Sequence, residues 1–177
     1  MVRNKIFLCG PSGAGKSFAI SAFLERNQQL NLAGFLSVFD RPAGEAGRQL
    51  FITDVRKRGI PTKGRCAALA RPDGGWKIYP EVFDTDGVAF LKPDDRPDLF
   101  IMDELGFMER NSPVFQRRVM DIIDSDVPVL GVIKPLEQRE RSRFLTGIAD
   151  HPGVELITVS REDRDGLQAR QERLKIF

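Results

Sequence analysis

The chain has 177 residues, of which 41% are hydrophobic and 29% charged, with 27 basic and 25 acidic side chains giving a net charge of +2. Such a length suits one domain spanning 1–177, and this balance excludes a disordered or fibrous chain and gives no reason to expect nucleic acid as a partner. Two cysteines, Cys9 and Cys66, and one histidine, His151, stand outside metal-ligand spacing, which excludes a zinc site and a histidine-dependent triad.

Met1 to Lys5 lead into an apolar run too short for a signal peptide or a membrane span, so cytoplasmic residence without a membrane partner is expected. Ile6–Cys9 is a short buried strand ending at Gly10, and Phe18, Ile20, Phe23 and Leu24 then follow with helical spacing. Gly34–Phe39 and Gln49–Val55 are β-rich and separated by a turn-rich loop over Arg41–Gly47, the pattern of a hairpin. Glycine and proline punctuate Arg56–Pro80 too often for a long helix, which leaves short strands around Cys66–Ala70 and Trp76–Tyr79. A helix is expected over about Glu81–Leu91, then a buried parallel strand at Asp98–Asp103. Ser112-Pro113 reads as a helix start, with the serine hydroxyl as cap, for a helix ending near Asp124. Val127–Ile133 is a further strand, Glu137–Ala149 a helix, Val154–Val159 the last strand, and a polar helix begins near Asp163. The alternation gives an α/β fold: three layers around a mostly parallel central sheet, with an inserted antiparallel hairpin region.

Between the first strand and first helix stands Gly10-Pro11-Ser12-Gly13-Ala14-Gly15-Lys16-Ser17, matching every fixed position of G-x-x-x-x-G-K-[ST]. Glycine lets successive N–H groups turn toward phosphates without a Cβ clash, and the helix start adds partial positive charge. The motif predicts a P-loop holding a nucleoside triphosphate, ATP, GTP or another, over Gly10–Phe18. Lys16 is expected on the β- and γ-phosphates, and the Ser17 hydroxyl on Mg²⁺.

Asp103 ends an apolar strand, the place from which a carboxylate can hold Mg²⁺, and Glu104 beside it can face the γ-phosphate and activate a water. Ligands of open α/β sheets bind beyond the carboxyl ends of strands, so the acid pair and the P-loop agree in location. Glu109 either pairs with an arginine or holds a loop. Arg41 and Arg48, flanking the loop after the second strand, are the candidate arginine finger, with Arg56, Lys57, Arg58 and Lys63 as further cations. Phe35, Phe39 and Phe51 read as core, while Trp76 and Tyr79 are candidates for stacking on a base.

Asp103-Glu104-Leu105-Gly106-Phe107-Met108-Glu109, continued by Ser112-Pro113-Val114-Phe115, resembles the Asp-Glu-Ile-Gly-Lys-Met-Glu and Ser-Pro-x-Phe stretches of the small nucleoside-triphosphatases related to the cancer-related nucleoside-triphosphatase. Gly34-Phe35, Pro128-Val129-Leu130 and Val159–Leu167 follow in the same order, so the resemblance spans nearly the whole chain. It implies a RecA-like fold and slow, Mg²⁺-dependent hydrolysis of several nucleoside triphosphates. By position, Lys16 and Ser17 serve phosphate and metal, Asp103 the metal and Glu104 the water. Phe107 stands where that family usually has lysine, Val132 where threonine is common, and Asp163-Arg164 where Asn-Arg is typical.

Two other functions share these motifs. A small-molecule or nucleotide kinase would use Arg139, Arg141 and Arg143 as a lid and Asp40-Arg41 toward an acceptor. A nucleotide-dependent switch with little turnover would order its loops for a protein partner, which Phe107 and Val132 favour. A monomer is expected.

Overall fold

The computed structural model of the chain describes residues 4–40, 47–57, 64–135, 137 and 142–160. Strand β1 (Lys5–Cys9) runs through the P-loop into α1 (Lys16–Arg26), and β2 (Leu32–Asp40) returns to the sheet. Strands β3 (Gln49–Asp54), β4 (Cys66–Ala70) and β5 (Trp76–Ile78) follow. Next comes α2, α-helical at Pro80–Val82 and Val88–Phe90 around a π turn at Phe83–Gly87. Strand β6 (Leu99–Leu105), helix α3 (Pro113–Asp124), strand β7 (Val129–Ile133), helix α4 (Arg143–Ala149) and strand β8 (Val154–Thr158) complete the order.

The eight strands among the described residues join one sheet in the order β5-β4-β3-β2-β6-β7-β1-β8. From β2 to β8 every pairing is parallel. The expected hairpin is the start of a three-strand antiparallel meander, β3 to β5, extending the sheet beyond β2. Side chains alternate across the sheet as the pleat requires: Ile6 and Leu8 of β1 pack toward Ala19, Ile20 and Phe23 of α1, while Phe7 and Cys9 join the opposite core. That larger core collects Phe83 from α2, Phe115 and Val119 from α3, and Leu145 and Ile148 from α4, so the sheet is covered on both faces. Phe115 is central there, edge-on to Phe35 at 5.5 Å and to Phe83 at 5.7 Å. Among the described residues no helix is long and apolar enough to cross a membrane.

Three local features differ from the sequence expectation. Ser112 occupies the N-cap position of α3, yet its hydroxyl donates to the Pro80 carbonyl at 3.2 Å and caps nothing. The cap comes instead from another helix: Asp84 of α2 accepts the Phe115 N–H at 2.9 Å. Strand β6 runs two residues past Asp103, to Leu105. Helix α4 begins at Arg143 because Ser142 caps it, accepting the Leu145 N–H at 3.4 Å, and residues 138–141 of the longer expected helix, like the helix expected from Asp163, lie outside the described residues.

Candidate nucleotide site

The carboxyl ends of β1, β6 and β7 meet at one place. β1 delivers the P-loop there, and Gly10 is the only residue type that fits its first position: its φ is +144°, and a Cβ would stand 2.1 Å from the Val159 carbonyl oxygen. Pro11, Ser12 and Gly13 are exposed, Ala14 and Lys16 buried, and Ser17 and Phe18 open to solvent at the start of α1. Gly15 caps α1 without any side-chain bond to its first amides. The Lys16 ammonium folds back into its own loop, donating to the Gly10 and Pro11 carbonyls, each at 2.8 Å. Burial holds its pKa below the usual lysine value, opposed by the negative charge of Glu104 and reinforced by the positive charge of Lys134.

On β6 the last regular pairing with β2 is Leu36 with Asp103, while the register with β7 shifts between Met102 and Leu105. Within that irregular stretch, where the Asp103–Glu104 peptide is cis, the two acids part company. Asp103 is buried and accepts from the Ser17 hydroxyl at 3.3 Å, which joins the P-loop to the acid pair. Its pKa is raised to about 6, chiefly by burial and next by the negative charge of Glu104. Glu104 donates its amide to Ser37 Oγ of β2 at 3.0 Å, and its carboxylate is ion-paired with Lys134, the residue following β7.

Behind this pair the chain turns through Gly106. The Lys134 amide donates to the Leu105 carbonyl at 3.1 Å, and the Lys134 stem lies so close over Gly106 that a Cβ there would meet its Cγ at 3.0 Å. Glu109, 2% exposed, accepts the Gly106 N–H at 2.8 Å and so closes the turn. Burial raises its pKa to about 7, with the Gly106 and Glu109 amides opposing the rise. Of the two roles open to Glu109, holding a loop is the one its contacts display.

The arrangement offers two hard oxygen ligands, a carboxylate with a cation beside it, and a glycine-rich loop with its own ammonium. Two of the candidate arginines have partners of their own. Arg48 lies over the Phe39 ring, 3.9 Å from its centroid, and Arg56 is bound to Asp54 at 2.8 Å, while Arg41, Arg58 and Lys63 lie outside the described residues. Trp76 packs edge-on against Phe39 at 6.2 Å, and Tyr79 lies under Lys77. Sequence reasoning missed Ser37 and Lys134. The signal for Lys134 was its place directly after an apolar strand run, the edge where ligands of parallel sheets bind; reading it required knowing that β7 lies between β1 and β6.

Residues 5–170 match the family described as NTPase. The nucleoside-triphosphatase THEP1 of Thermofilum pendens is 28% identical, with 93% of this chain and 91% of that protein covered. Its counterpart of the same name in Methanosarcina barkeri is 26% identical, with 94% of each covered. The crystal structure of THEP1 from the hyperthermophile Aquifex aeolicus superposes with a TM-score of 0.70 at 23% identity, over 97% of this chain and 99% of that one. The solution structure of a human cancer-related nucleoside triphosphatase gives a TM-score of 0.68 at 20% identity over 97% of each chain, and at such identities both structures establish the fold.

Proposed function

The chain belongs to the NTPase family, and from that premise we propose that Glu104 activates the water that attacks a terminal phosphate held by Gly10–Ser17. The protein hydrolyses nucleoside triphosphates. The observation that carries the site assignment is the 3.3 Å contact between Ser17 Oγ and Asp103 Oδ1, which brings the two halves of the sequence motif into register.

Two protein oxygens in contact fit Mg²⁺, an ion that binds through one or two protein groups and completes its shell with waters and phosphate oxygens. Ser17 and Asp103 would hold it, and bound there it would neutralise phosphate charge. Lys16 exchanges the Gly10 and Pro11 carbonyls for the β- and γ-phosphates, and the amides of the loop and of the start of α1 bind the remaining phosphate oxygens. Phe18, 63% exposed beside the loop, offers an apolar surface to the nucleoside side. Glu104 accepts a proton as the water oxygen bonds to the γ-phosphorus; the bond from that phosphorus to the bridging oxygen breaks, giving nucleoside diphosphate and phosphate. These residues address phosphate, metal and water rather than a base edge, which supports broad base tolerance. Turnover is slow in this reading because Lys16 and Glu104 both begin engaged with other groups of the chain.

The test is phosphate release from ATP, GTP, CTP and UTP with Mg²⁺, for the wild type beside Glu104→Gln and Lys16→Ala, with binding measured in parallel. Glu104→Gln is expected to lose about 10²- to 10⁴-fold in kcat while still binding nucleotide. Lys16→Ala loses binding. Wild-type turnover in Glu104→Gln would overturn the assignment.

A further inference from the structure

We propose that Lys134 is a second cation, beside Lys16, that this chain supplies to the γ-phosphate, and that its ion pair with Glu104 is the resting state from which it is drawn. The proposal rests on the reading of Glu104 given above and adds to it a source of charge that the sequence had placed on the arginines.

Topology makes the first part of the case. β7 lies between β1, which carries the P-loop, and β6, which carries the acid pair, so the residue leaving β7 emerges between the two halves of the site. Lys134 is that residue. Its backbone is fixed to Leu105 and its stem rests on Gly106, so only the ammonium end is left to reorient. The stem is half-buried, which strengthens any charge interaction the ammonium makes, and its positive charge is felt at Lys16 and at Asp103. Lys134 thus stands within electrostatic reach of both sides of the space that a phosphate held by Lys16 would share with Asp103.

Chemistry makes the second part. A terminal phosphate carries more negative charge than one carboxylate, so a γ-phosphate placed beside the pair competes for the ammonium. Transfer of Lys134 Nζ from Glu104 to a phosphate oxygen does two things together. It supplies positive charge where negative charge develops, and it leaves the Glu104 carboxylate without its partner, able to accept the proton of the attacking water. Once the cleaved phosphate departs, the ion pair re-forms. A nucleoside diphosphate has no γ-phosphate and leaves the pair intact, so Lys134 distinguishes substrate from product.

Lys134→Met tests this, because methionine retains an unbranched stem over Gly106 and removes the charge. Affinities for the Mg²⁺ complexes of a non-hydrolysable triphosphate analogue and of the diphosphate are measured beside kcat and the melting temperature. The expected result is a triphosphate affinity lower by about 10- to 100-fold, an unchanged diphosphate affinity, and kcat lower by about 10²- to 10³-fold. Lys134→Arg restores most of the triphosphate affinity and less of the rate, since a planar fork replaces a compact charge. An unchanged triphosphate-to-diphosphate affinity ratio in Lys134→Met overturns the proposal, as does an equal loss for both ligands with a lowered melting temperature. Full turnover in Glu104→Gln together with the altered ratio in Lys134→Met would instead remove the water role and leave the charge role standing.

Discussion

Glu109→Gln replaces a buried acid by an isosteric amide whose carbonyl can still accept the Gly106 N–H. What changes is titration. In the folded chain burial lifts the Glu109 carboxyl from the ordinary glutamate value of 4.5 to about 7, against the amides of Gly106 and Glu109 and the charge of Lys134, with Glu104 adding to the rise. Between those two pH values the folded state keeps a proton that the unfolded chain has released, so stability falls as pH rises through this window and is level above it. The interval from 4.5 to about 7, at about 1.4 kcal/mol per pH unit, sets the full effect at about 3 kcal/mol. Asp103, raised to about 6, contributes a slope of the same sign in both proteins and cancels from their difference. Urea denaturation followed by circular dichroism from pH 4.5 to pH 8 reads that difference directly. The variant is expected to match the wild type at the acid end and to exceed it by up to about 3 kcal/mol at pH 8. Parallel stability profiles, or a variant weaker at pH 8, would refute the reasoning.

Gly34→Ala is expected to remove more than about 3 kcal/mol, because φ is +119° and a new Cβ would stand 1.9 Å from the Ile101 carbonyl oxygen of the neighbouring strand; a urea midpoint unchanged from wild type would contradict this. Asp84→Ala takes the cap from the start of α3 and should lower the unfolding free energy by about 1 kcal/mol, whereas Asp84→Asn keeps an acceptor and should lose less. Equal losses in the two Asp84 variants, read from the same melts, would show that the carboxylate is not acting as a cap.

The P-loop was legible in the sequence because all its parts are contiguous: strand, glycines, lysine and hydroxyl lie within one local segment and need no tertiary information. The alternation of strands and helices was legible for the same reason, as was the acid pair following an apolar run. What escaped reading depends on which strands are neighbours. Ser37 meets Glu104 because β2 pairs with β6, and Lys134 meets it because β7 is inserted between β6 and β1. Ser112 illustrates a different limit. Its type and place were those of a cap, but the Pro80 carbonyl claimed its hydroxyl and Asp84, 31 residues before Phe115 in sequence, satisfied the helix instead. Arg48 and Arg56 carried the right charge, but their contacts, an aromatic ring and a carboxylate, are set by tertiary packing and local turns that charge alone does not reveal.

The sheet order also bears on how the protein is made. Both hydrogen-bonded neighbours of β1 are late strands: Lys5 is in register with Val129 on one side and Val154 on the other. Once it has left the ribosome, β1 therefore waits for more than a hundred residues before either edge can pair. At about 5–20 residues per second, that interval is on the order of ten seconds. During it the β2–β3 hairpin and the β3–β5 meander, whose partners are close in sequence, are free to form. The strand that carries the P-loop is thus closed into the sheet after the hairpin and meander can form, by the same strand that brings Lys134.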